Sequence, residues 1–168
     1  TIFWSYRFDG KEDCPQQQHR YVLLCLLLIL ITGLSYGLGG DKFVYMNDFK
    51  VFKTQSGSFG KEIVRYFRDH GYMPLWTALN LIIKQITDSF YVVQIIQSLI
   101  VNCAVFYAAK RWTNKPFLFV LLYFIGGTYF RFNTEVMREG VAIAFSLLGW
   151  ISYTKGRNLG VIMWTLMG

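Results

Sequence analysis

The sequence predicts an all-α fold, a polytopic integral membrane helical bundle of which this chain is a fragment, and three observations carry the prediction. Charged residues make up only 16% of the 168 residues, while apolar ones reach 54% and aromatics 18%, against a charged share of about a quarter in soluble domains. The windows 21–40 and 89–109 hold no charge at all, and each matches the roughly 20 residues that cross a hydrocarbon core. The net charge of +7 lies mostly in connectors between apolar runs. That is the pattern of Lys and Arg held on the cytoplasmic side of a membrane, and it argues against nucleic acid as a partner.

Each element follows from local pattern. Residues 1–20, with three basic and three acidic residues around QQQH, read as a cytoplasmic loop. Residues 21–40 form the first transmembrane helix, where Gly33 and Gly37 let a second helix approach closely. The glycines of GLGGD permit a sharp turn that presents Asp41 at the membrane edge. Residues 41–70, with six basic and four acidic residues, form an extracytoplasmic loop. Within it, Phe59, Ile63, Tyr66 and Phe67 recur at near-helical spacing, as in an amphipathic helix lying on the membrane interface. Residues 71–87 are apolar, but the charge-free run that they share, 70 to 83, has only 14 residues, so they read as a re-entrant or interfacial helix opened by Pro74.

Residues 89–109 form the next transmembrane helix, with Gln94, Gln97, Ser98 and Asn102 along one face, as expected of a helix that meets polar groups inside a bundle. Lys110, Arg111 and Lys115 crowd the following connector and orient it to the cytoplasm. Transmembrane helices over 116–130 and 134–153 follow, then Lys155 and Arg157 in a second basic turn. The chain opens at Thr1, and its final apolar run, 158–168, is too short to span about 30 Å, so it reads as the start of a truncated transmembrane helix in a longer protein. Cys14, Cys25 and Cys103 have no metal-ligand spacing and read as packing residues.

The candidate site is FNTEVMREGVAIA, residues 132–144, which sets Glu135, Arg138 and Glu139 at the mouth of an apolar helix. Charges there are expensive, so intramembrane ionisable groups are site candidates unless they only anchor a helix end at headgroup depth. With the topology above, Arg131, Asn133, Glu135, Arg138 and Glu139 share the outer side with Asp41. The guanidinium fork of Arg138, with Arg131 near it in sequence, suits a phosphate or another anionic ligand. One continuous α-helix would align Glu135, Glu139, Ala142, Ser146 and Gly149 along one side.

The order of YGLGGD at 36–41, Tyr45, YMPLWTALN at 72–80, NKPFL at 114–118 and FNTEVMREGVAIA resembles the EpsG family of exopolysaccharide polymerases, whose role is similar to that of O-antigen polymerases. The resemblance covers the chain from about Tyr21 onward. It departs from the family at Ser35, where an arginine is common, and at Met73, where a glutamate is common. It implies a glycosyltransferase-type enzyme of the bacterial cytoplasmic membrane that polymerises oligosaccharide repeat units carried on undecaprenyl diphosphate, alongside a chain-length regulator and a flippase. Under it, Arg138 offsets charge on the leaving diphosphate with Arg131 assisting, and Glu139, Glu135 or Asp41 takes the proton of the attacking hydroxyl. Asn133, Glu135 and Tyr45 join Arg131 as substrate-binding candidates. No metal or other cofactor is implied. The rival reading is a flippase or transporter component that binds the same lipid-linked saccharide without catalysis.

Overall fold

The computed structural model describes residues 15–35, 39–52, 59–71 and 74–167. Residues 1–14 with Cys14, residues 36–38 of the glycine turn, residues 53–58, and Tyr72 and Met73 lie outside the described residues. Among the described residues all regular structure is helical. The order is α1 (Pro15–Gly33), α2 (Lys42–Val51), α3 (Phe59–His70), α4 (Pro74–Ile86), α5 (Phe90–Trp112), α6 (Pro116–Ile125), a short α7 (Thr128–Phe130), a π-helical turn (Arg131–Glu135), α8 (Met137–Thr154) and α9 (Asn158–Met167). By length and composition α5 is the one helix among the described residues suited to crossing a membrane, and residues 17–33 and 116–125 are apolar but shorter.

Helices α1 and α5 pack antiparallel, as their side-chain bonds record. The Tyr21 hydroxyl donates to the Phe106 carbonyl (3.0 Å), the Ser98 hydroxyl to the Ile29 carbonyl (3.0 Å), and the Gln94 amide to the Gly33 carbonyl (3.4 Å). Partners on α5 thus fall in number as α1 advances. The pair lies close because Gly33 has no side chain: a Cβ there would stand 3.2 Å from the Ile95 Cα. The outer face of α1, with Leu23, Leu26, Leu27 and Leu30, stays exposed.

One apolar cluster, with Tyr45, Phe49, Trp76 and Val93, gathers α2, α3 and α4 around the N-terminal half of α5. A second, with Tyr21, Phe106, Val120 and Tyr129, joins α1 and α6 to its C-terminal half. Trp76 near the start of α4 meets the Tyr45 ring, with centroids 5.5 Å apart, and Lys84 near its end lies 4.7 Å from the Phe49 ring centroid. Both ends of α4 therefore rest on α2. At the opposite end of the bundle Lys110 lies 5.3 Å from the Tyr21 ring centroid, and the Lys155 ammonium donates to the Tyr107 hydroxyl (2.7 Å).

Three differences from the sequence expectations bear on the site. Helix α1 starts at Pro15, inside the stretch that reads as a loop, where a proline fits the first helical turn. The climb after Pro116 is broken: α6 stops at Ile125, Gly127 takes a left-handed φ of 76°, and the chain resumes as α7 and the π-helical turn. Helix α8 begins only at Met137, after Val136 at φ −106° and ψ 59°. Glu135 therefore stands on the π-helical turn and Glu139 on α8, and the expected single face through Ser146 and Gly149 does not form: Gly149 is buried and Ser146 is exposed.

Candidate functional site

The π-helical turn determines how the candidate residues meet. Widening a helix from i→i+4 to i→i+5 bonding leaves carbonyls in need of donors. Here Val136 N–H donates to the Arg131 carbonyl (2.9 Å), and side chains serve three of the neighbouring oxygens. The Asn133 amide donates to the Tyr129 carbonyl (2.7 Å), the Thr134 hydroxyl to the Phe130 carbonyl (2.8 Å), and the Gln97 amide of α5 to the Phe132 carbonyl (2.9 Å). Irregular backbone at depth persists only where the protein satisfies it in this way.

Two glycines press against that turn. A Cβ on Gly140 would lie 2.5 Å from the Phe132 carbonyl oxygen, and one on Gly39, at φ +90°, would lie 2.6 Å from that of Thr134. Real Cβ atoms do not approach so closely, so both positions require glycine. The consequence reaches the site, because Gly39 leads into Asp41 and α2, while Gly140 follows Arg138 and Glu139 on α8.

Asp41, Tyr45, Arg138 and Glu139 meet at this junction. The Arg138 guanidinium carbon lies 5.8 Å from the Tyr45 ring centroid. Burial pushes the Tyr45 hydroxyl above its ordinary pKa. The hydrogen-bonded Arg138 beside it pulls the other way, and the Glu139 and Asp41 carboxylates push up. Arg138 is half-buried, and its Nε is buried with no hydrogen-bond partner among the described residues. Asp41 and Glu139 are exposed. Tyr45, only 6% exposed, supports the arginine from beneath and offers little surface to a ligand.

The remaining candidates fall elsewhere. Arg131 and Glu135 stand exposed on the π-helical turn. Asn133, expected to bind substrate, is 2% exposed. Its side chain is spent on the Tyr129 carbonyl and on Asn102, whose amide donates to the Asn133 Oδ1 (2.8 Å). Asn133 is thus bonded within the bundle and presents little surface to a ligand.

Lys42, absent from the sequence-based candidates, is 4% exposed and donates to the Ser35 hydroxyl (2.8 Å) and carbonyl. Burial lowers its pKa to about 8. Its signal was its place directly after Asp41, masked by its likeness to any loop lysine. Among the described residues no cluster of three His, Cys, Asp or Glu side chains is arranged to hold a metal.

The described residues form a helical bundle with one helix long and apolar enough to cross a membrane, and with a half-buried arginine beside Tyr45, Asp41 and Glu139. The chain belongs to the EpsG family, whose model matches residues 20–168. The family is polysaccharide-polymerase-like and serves exopolysaccharide biosynthesis in membranes. No curated protein and no solved structure matches the chain.

Proposed function

We propose that this chain carries part of the site of a polymerase that joins oligosaccharide repeat units linked to undecaprenyl diphosphate, at the outer face of the bacterial cytoplasmic membrane. The observation that carries the reading is Arg138, held half-buried over Tyr45 with no partner for its Nε among the described residues and with the Asp41 and Glu139 carboxylates nearby. The gathering of Lys110 and Lys155 at the other end of the bundle supports a multi-pass topology with that end cytoplasmic and the site outside. The seating of α4 along α2 supports an interfacial segment that does not cross.

In the reaction, a sugar hydroxyl of one unit attacks the anomeric carbon of another. A new glycosidic C–O bond forms as the bond to the lipid diphosphate breaks, and the hydroxyl proton passes to Glu139 or Asp41. The leaving diphosphate gains negative charge, which a preorganised guanidinium stabilises more in the transition state than in the ground state. Arg131, exposed on the adjoining turn, adds positive potential. A chain-length regulator and a flippase are the partners that such chemistry needs.

The test is Arg138→Ala in cells that depend on this protein for surface glycan. Long polymer should vanish while protein level holds and single repeat units still reach the surface. Units retained inside the cell would favour the flippase reading, and an unchanged chain-length distribution would remove Arg138 from the mechanism.

A further inference from the structure

We infer that Gln97 is a positioning residue for this site, acting through the π-helical turn. The inference rests on the reading of Arg138 given above. Gln97 is fully buried on α5, far in sequence from every site residue, and its amide donates to the Phe132 carbonyl. Its other polar atom, Oε1, is buried with no hydrogen-bond partner among the described residues. A buried acceptor without a donor costs stability, and an apolar side chain of similar volume would avoid that cost. The glutamine therefore makes sense through its donor.

That donor fixes the turn from the α5 side. Gly39 and Gly140 contact the same turn from two other sides, at separations that leave no room for a methyl group. Asp41 and Tyr45 follow the first glycine, and Arg138 and Glu139 adjoin the second. The turn is thus a spacer between the two halves of the site, and Gln97 sets where the spacer sits. Asn133 and Thr134 bond the turn back to the adjoining α7 carbonyls of Tyr129 and Phe130, whereas Gln97 ties the turn's own Phe132 carbonyl to the long helix. Loss of that tie lets the turn shift, and a shift of about 1 Å at a reacting centre can cost on the order of 100-fold in rate.

The test compares Gln97→Met, which keeps the volume and removes the donor, with Gln97→His, which keeps a ring N–H. Spin labels on cysteines at positions 43 and 143, exposed on α2 and α8, report the separation of the two halves in detergent-solubilised full chain. Gln97→Met should broaden or shift the label distance distribution and cut long polymer by about 100-fold. Gln97→His should restore part of both. If Gln97→Met fails to fold, Gly140→Ala, which pushes the turn from the other side, should produce the same broadening with Gln97 intact. An unchanged label distance in the folded variants would overturn the inference, whether or not polymer is lost. Because the label readout needs no catalysis, a polymer-competent Arg138→Ala would overturn the polymerase site alone and leave the spacer role to stand or fall on the distances.

Discussion

Two polar regions lie a few turns apart in this bundle and differ in how completely they are bonded. In the buried one, Thr32 and Ser98 share a hydrogen bond of 2.6 Å, Asn102 donates to Asn133, and the Asn133 amide also reaches Tyr123 Oη at 3.5 Å. Its members, Thr32, Ser98, Asn102 and Asn133, are at most 2% exposed. In the rim region, the Arg138 Nε has no partner among the described residues, and Asp41 and Glu139 are exposed. A buried polar group left unpaired costs about 1–3 kcal/mol, so the closed network holds helices together, while the open one is where the proposed site would engage its ligand. Polarity inside an apolar bundle is thus a weak guide to function; what separates the rim is an incompletely bonded cation set beside exposed carboxylates.

The largest effect that sharpens this contrast is on activity. Arg138→Ala should lower polymer output by about 100- to 1000-fold, the cost of removing one preorganised donor from a developing anion, with little change in the unfolding midpoint. Asn102→Leu should do the reverse in origin. It leaves the Asn133 Oδ1 without its donor and the Tyr123 hydroxyl without its acceptor and destabilises the fold by about 3 kcal/mol, read as a lower thermal midpoint in detergent, with activity falling only as folded protein falls. A loss of stability in Arg138→Ala equal to that in Asn102→Leu would erase the distinction between the regions.

A smaller effect is expected where the regions touch. Gly39→Ala forces a side chain into φ +90° and against the Thr134 carbonyl, a strain of about 1–3 kcal/mol. Because Gly39 leads into Asp41, polymer output should fall by more than the loss of folded protein explains. Quantitative blotting beside chain-length analysis separates the two contributions, and a proportional fall in both would place Gly39 with the holding region only.

Much of this was legible in the sequence. The stripe of Gln94, Gln97, Ser98 and Asn102 on α5 finds the interior partners that its spacing required: the Ser35, Phe132 and Ile29 carbonyls and Asn133. Gly33 makes the close helix contact expected of it. The grouping of Asp41 with Arg138 and Glu139 also emerges from chain order and from the resemblance. What could not be read was the π-helical turn. Its register depends on a donor from Gln97, more than 30 residues away, and local propensity carries no trace of such a bond. Assuming α-helical spacing across 134–153 therefore put Glu135 on the face of Glu139, and the uncertainty in angle hid that Asn133 points inward.

Lys42 provides the smallest effect and tests the boundary itself, since it neighbours Asp41 in sequence yet is bonded inward to Ser35. Lys42 is 4% exposed, and burial lowers its pKa from the ordinary 10.5 to about 8. Below about 8 both folded and unfolded chains keep the proton, and the cost of burying the charge is fully present. Between about 8 and 10.5 the folded chain has released the proton while the unfolded chain retains it. The unfolded state then binds more protons, and stability rises with pH. The thermal midpoint of the parent should accordingly climb from pH 8 to pH 10 relative to Lys42→Met, in which no ammonium is buried. Parallel curves for the two proteins would show that Lys42 is not the titrating group. A change in polymer length without any difference in the curves would move Lys42 from the holding region to the rim.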